Sequence, residues 1–201
     1  MSGVQPAVGA RRARSAVPVA RLRLRGSPRI LVAGVGNVLR GDDGFGPAVI
    51  RALEDSGRLP RSVRTIEVGI GGIGLVQELM DGYDALVLVD AVDRGGSPGS
   101  LYLLEPQVPD PLSISPHERR ELVADIHQAV PGLALMIARA VGALPAVARI
   151  VGCQPAVTDE LSVELSPPVQ QAVPQAVEMI LALLADLLQG RPDQRRRARS
   201  R

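Results

Sequence analysis

The chain has 201 residues, enough for one domain with a substantial core, and its single cysteine, Cys153, excludes a disulfide framework or a thiolate-rich zinc or iron–sulfur site. Apolar residues make up 46% of it but aromatics only 1%, so the core must be aliphatic, and a platform that stacks single-stranded nucleic acid on aromatic rings is disfavoured. The net charge of +2 conceals an acidic body between basic ends: residues 1–29 carry seven Arg and no acid, residues 189–201 six Arg and one Asp, and the stretch between them ten Arg against twenty acids.

In chain order, residues 1–28 mix Arg, Ala, Val, Ser and Pro without a period or an apolar signal core, and are expected to form a disordered extension outside the fold. Arg29–Val35 (RILVAGV) is a continuous buried-strand run, followed by helical spacing over Gly46–Glu54. Val63–Val68 predicts a second strand, Ile73–Met80 a second helix and Asp84–Val92 (DALVLVDAV) the strongest strand. A turn at Gly95–Gly99 leads to a short strand, Ser100–Glu105, suited to a sheet edge, and then to a long Pro-rich connection, Pro106–Pro116. Pro131–Leu144 is helical with Pro131 in its first turn, Ala148–Cys153 is a last strand, Val169–Leu188 a closing helix, and the residues from 189 a basic tail. No apolar run reaches the ~18 residues expected of a membrane span. Strands alternating with helices predict one α/β domain over residues 29–188: three layers, with helices on both faces of a mainly parallel twisted sheet of about five strands.

Open parallel sheets bind ligands at the carboxyl ends of their strands, which narrows the search to a few loops. The first strand runs into Gly34-Val35-Gly36-Asn37-Val38-Leu39-Arg40-Gly41-Asp42-Asp43-Gly44-Phe45-Gly46. Leu39 stands where a dinucleotide loop needs its third glycine, and Asp42 and Asp43 precede the helix start where a phosphate would dock. Paired carboxylates there favour a cation or proton transfer. Asp90 breaks an apolar run and so must lie near the strand's end or be paired. Glu67 ends the second strand, ahead of the glycine-rich Gly69-Ile70-Gly71-Gly72. The two histidines are His117, in a polar Ser-Pro-His context, and His127, just before a helix. With Asp43 and Asp90, His127 would form a one-imidazole, two-carboxylate cation site, whose N/O donors suit nickel, zinc, cobalt or manganese alike. No serine sits in a Gly-x-Ser-x-Gly elbow, and Cys153, inside an apolar strand, reads as a packed core residue.

At these residues the chain resembles the hydrogenase maturation endopeptidases, which process the large subunit of nickel–iron hydrogenases. The likeness runs from about Ile30 to Leu188 and is most specific over Gly34–Gly46. It implies that Asp43, Asp90 and His127 are metal ligands, His127 being preferred to His117 because Ile150-Val151-Gly152-Cys153-Gln154-Pro155 and Leu165-Ser166-Pro167-Pro168-Val169 follow it in the expected order. At the loop after the second strand the family often has an aspartate where this chain has Glu67.

The resemblance further implies a peptidase that removes a C-terminal extension from the large-subunit precursor once nickel is inserted. Nickel is then brought by the substrate, other divalent ions such as zinc could substitute in vitro, and no bound cofactor is needed. Either the metal acidifies a water or polarises the scissile carbonyl, or a carboxylate among Asp43, Asp42 and Glu67 acts as catalytic base. A cytoplasmic monomer is expected, with the precursor as partner and neither nucleic acid nor membrane. Two alternatives remain at this stage: a non-catalytic metal-sensing chaperone of the precursor, and a Rossmann-like nucleotide-binding protein using Gly34–Gly36.

Overall fold

The computed structural model describes residues 27–69, 72–110, 113, 129–156 and 161–190. Almost all of the expected N-terminal extension and basic tail, together with both histidines, lie outside these residues. Five strands, β1 (Ile30–Val35), β2 (Val63–Gly69), β3 (Ala85–Ala91), β4 (Leu101–Leu104) and β5 (Val147–Cys153), form one sheet in the order β2-β1-β3-β5-β4. All pairings are parallel except β4 with β5, so β4 is an antiparallel edge. The hydrophobic pattern explains the order. All six residues of β1 are buried, as are the first five of β3, because both strands are covered on two faces. In β2, VRTIEVG alternates between half-buried and exposed positions and suits the other edge.

Four helices make the outer layers: α1 (Phe45–Asp55), α2 (Ile73–Met80), α3 (Ala129–Ala140) and α4 (Pro167–Leu188). Phe45, Val49, Ile50 and Leu53 of α1 share one core with Val169, Ala172, Ala176, Ile180 and Leu184 of α4. Leu75, Val76 and Leu79 of α2 share the opposite core with Ala134, Leu135 and Ala138 of α3. The expected three-layer architecture is therefore present, and the observed spans differ from the expected ones by a few residues at most. The largest difference is at α3, which stops short of Leu144 because Gly142 takes φ +73 and the Ala143 N–H folds back on the Ala138 carbonyl at 2.8 Å, a left-handed cap.

One expectation needs correction. The 22-residue α4 contains an 18-residue window of mean hydropathy 1.4, so by length and composition it is apolar enough to cross a membrane. Its stripe at Val169, Ala172, Ala176, Ile180 and Leu184 is packed against α1 and the sheet, which accounts for the apolar content within the fold.

From β1 the chain passes over one face through α1 to β2, then back over the other face through α2 to β3 on the far side of β1. This reversal opens a crevice at the carboxyl ends of β1 and β3, the place where such sheets bind ligands.

Candidate functional site

Two segments enter that crevice. After β1 the chain turns through Gly36 and Asn37 into a 3-10 turn, Gly41–Gly44, that leads directly into α1. Glycine identity is demanded by close packing. A Cβ on Gly36, where φ is +128, would lie 1.9 Å from the Asp43 carbonyl oxygen, and one on Gly46 would lie 2.2 Å from the Val35 oxygen. The glycines thus let the turn and α1 settle on the strand ends, and the space a pyrophosphate would need over Gly36 is filled by the backbone of Asp43. The nucleotide-binding alternative loses its loop.

Asp43 is half-buried, and its Oδ2 accepts the Asn37 N–H at 2.9 Å. Asn37 in turn accepts the Leu39 N–H on Oδ1 at 3.0 Å, which fixes the loop carrying Asp43. Asp90 comes from the end of β3, where alternation puts it on the same face as Leu86 and Leu88, toward α2 and α3. Its register partner on β5 is Gly152. Burial pushes the Asp90 carboxyl up to about 8, and the negative charge of Asp43 adds to this, while the Ala91 backbone N–H opposes it. The charges of Asp43 and Asp90 therefore act on one another across the crevice. Two carboxylates at such a distance favour either a shared proton or a cation between them.

Asp42, next in sequence to Asp43, faces the other way. It is fully buried, with Oδ1 accepting the Ser166 N–H at 2.7 Å and Oδ2 accepting the Ala156 N–H and the Ser166 hydroxyl, each at 2.8 Å. Ser166 is the residue before α4, whose first two positions are Pro167 and Pro168. Those prolines have no N–H to cap, so the Ser166 hydroxyl is available to Asp42, and the positive end of the α4 dipole favours the anion. The environment is that of a structural brace and does not suit a general base.

Glu67 is likewise occupied elsewhere. It is exposed on β2 and forms a two-bond ion pair with Arg51 of α1, at 3.0 and 3.2 Å. Contact with α1 puts it on the face opposite Asp90, so the expected catalytic role for Glu67 does not fit the geometry. Glu67→Gln is expected to leave peptidase turnover within about twofold of wild type, since an exposed pair of this kind contributes only ~0–1 kcal/mol to stability. A loss of turnover at unchanged melting temperature would reinstate Glu67. Cys153 is a buried thiol pushed up to about 11, by burial first and by the charge of Asp42 second, which agrees with a packed core residue.

The sequence reading missed Gln154 as a site-shaping residue. It is 5% exposed, and its Oε1 accepts the Arg94 and Gly96 N–H groups at 2.8 and 3.1 Å while its Nε2 donates to Asp93 at 2.9 Å. These bonds pin the loop that follows Asp90, and the Gln154 and Gly95 bonds hold the Asp93 carboxyl below its ordinary range. A polar residue directly after an apolar strand was the available signal. His127 and His117 lie outside the described residues, among which no group of three metal-ligating side chains is gathered.

Comparison with known proteins bears on this arrangement. The profile of the hydrogenase maturation protease family matches residues 47–183. The hydrogenase expression/formation protein HupM of Azotobacter chroococcum mcd 1 is 35% identical over 161 residues, spanning 80% of this chain and 73% of that protein. The hydrogenase 2 maturation protease of Escherichia coli K12 is 33% identical over 162 residues, spanning 79% and 92% respectively. Among solved structures, the hydrogenase maturating endopeptidase HybD from E. coli matches with a TM-score of 0.61 at 30% identity, covering 79% of this chain and 93% of its own. The hydrogenase 2 maturation peptidase from Thaumarchaeota archaeon SCGC_AB-539-E09 gives 0.56 at 31% identity, covering 78% and 97%.

Proposed function

Because the chain belongs to the hydrogenase maturation protease family and is a peptidase of that kind, we propose that it removes the C-terminal extension of a nickel–iron hydrogenase large-subunit precursor after nickel insertion. Substrate-borne nickel is read by Asp43, Asp90 and His127. The observation that carries this reading is the carboxylate pair at the switch point, where Asp43 raises the proton affinity of Asp90. A divalent cation relieves that repulsion by displacing the proton. For the imidazole, the support is chain order: α3 begins two residues after His127 and shares a core with α2 on the face to which Asp90 belongs.

In this reading the ion belongs to the substrate and orients it. Asp43 and Asp90 hold a metal already seated in the precursor, so the adjacent peptide bond is fixed near the attacking water. Water adds to the scissile carbonyl carbon, the C–N bond breaks, and the proton released by the water passes to the departing amine. Asp43 or the metal itself deprotonates the water; Asp42 and Glu67 are otherwise engaged. The protein works in the cytoplasm as a monomer, where it meets the folded precursor.

The test is cleavage of nickel-loaded precursor, followed by mass spectrometry. Wild type and His117→Ala should release the extension, whereas Asp43→Ala and His127→Ala should slow release by about 10³-fold or more, as loss of an orienting ligand does. Release by His127→Ala but not by His117→Ala would exchange the two histidines. Binding of the precursor by wild type without any release would sink the reading.

A further inference from the structure

Seven large apolar side chains are exposed among the described residues, and four of them, Val38, Leu39, Leu161 and Val163, lie on two short segments that are bonded to each other. Arg40 and Ser162 form a parallel bridge, with the Gly41 N–H donating to the Ser162 carbonyl at 2.8 Å and the Ser162 N–H to the Leu39 carbonyl at 3.1 Å. Leu161 is 91% exposed and Val163 76%, although each stands beside a backbone anchored on the turn that carries Asp43. Singly scattered apolar residues such as Met80 need no explanation, but a cluster on a fixed ridge marks an interaction surface.

The ridge adjoins the carboxylates. Asn37, which holds Asp43 by its backbone N–H, immediately precedes Val38 and Leu39. A Cβ placed on Gly44 would lie 3.4 Å from the Val38 Cα and 3.8 Å from Leu165 Cδ2, so the 3-10 turn, the ridge and the start of α4 meet at one point. Any peptide held at Asp43 and Asp90 leaves the crevice past this ridge. Its four aliphatic side chains offer neither charge nor hydrogen bonds, and they exclude water only from another apolar surface.

We propose that this ridge is a substrate dock, receiving an apolar stretch of the precursor chain beside the scissile bond and setting affinity where the carboxylates set chemistry. The proposal rests on the peptidase reading above and extends it to a specificity surface. Docking energy gained outside the reacting groups in the ground state appears mainly in KM.

The experiment uses the full chain and the nickel-loaded large-subunit precursor from the same organism, with cleavage kinetics and direct binding measured in parallel. Leu161→Glu/Val163→Glu should raise KM and Kd at least tenfold with kcat within twofold and the melting temperature unchanged, because both side chains project into solvent. Leu39→Ser should raise KM in the same direction by a smaller factor, and Met80→Glu, on α2, should change neither constant. Unchanged KM and Kd in the double variant would overturn the proposal. So would a wild-type dimer that the double variant dissolves while KM holds, since the ridge would then serve a second copy of this chain. If wild type binds precursor without cutting it, the peptidase reading falls but the dock stands provided the double variant loses binding; equal binding by both proteins, or by neither, removes the dock as well.

Discussion

Asp90→Asn is expected to give a protein that melts a few degrees higher than wild type at pH 8 and no longer processes precursor. The Asp90 carboxyl is pushed from 3.8 to about 8 in the folded chain, by burial and by the charge of Asp43. Between about pH 4 and pH 8 the unfolded aspartate is ionised while the folded one retains its proton. The folded state therefore binds more protons, and stability falls as pH rises through that window and levels off above it. Asparagine cannot ionise, so the variant should lose this slope, with the two melting curves converging below pH 4. Because Asp90 keeps some contact with solvent, the gain should be about 1–2 kcal/mol, or roughly 2–6 °C for a chain of this size. Calorimetric melts at pH 4, 6 and 8 measure it, and parallel profiles for variant and wild type would show that the strain at Asp90 is absent. Processing should fall at least about 10³-fold, because the amide is a poor ligand for a divalent ion and holds the peptide less firmly. The same proton makes binding of free Ni²⁺ pH-dependent: affinity should climb as pH approaches 8 and lose that dependence in Asp90→Asn. Stability and function pull in opposite directions at this residue, which is the mark of a site held ready for a charge supplied from outside.

The backbone was more legible than the site. Uninterrupted apolar runs at Ile30–Val35 and Leu86–Val89 can be satisfied only by strands covered on both faces, so their central places followed from composition alone. Asp90 was visible for the same reason, as a charge interrupting such a run. Asp42 and Asp43 could not be told apart, because what separates them is a partner 124 residues away, Ser166, and no local pattern reveals which of two adjacent carboxylates turns inward. The partner of Glu67 was closer, 16 residues back at Arg51, but the pairing depends on which face of β2 meets α1. Gln154 escaped notice because its task is to hold backbone N–H groups of a distant loop, a role that leaves no trace in periodicity.

The division of labour between the two adjacent aspartates gives the largest expected change in stability. Asp42→Ala should destabilise the fold by about 3–5 kcal/mol, because it removes the acceptor of three buried bonds and leaves the Ser166 and Ala156 N–H groups unpaired. Asp42→Asn should not rescue it fully. An amide nitrogen in place of Oδ1 faces the Ser166 N–H, and in place of Oδ2 it faces the Ala156 N–H, so one donor meets another in either orientation. Ser166→Ala removes a single hydroxyl bond and should cost only about 1 kcal/mol. Urea titrations of the three variants should therefore rank Ser166→Ala, Asp42→Asn and Asp42→Ala in order of increasing loss. Activity should follow folding: Asp42→Asn, assayed below its melting transition, should still cleave nickel-loaded precursor, whereas Asp43→Asn should be inactive at wild-type stability. An Asp42→Asn protein that melts like wild type and cleaves nothing would return Asp42 to the reaction as its base. Activity in the folded Asp42 variant would instead assign it to the brace that fastens the Asp43 turn to α4, with the chemistry left to Asp43.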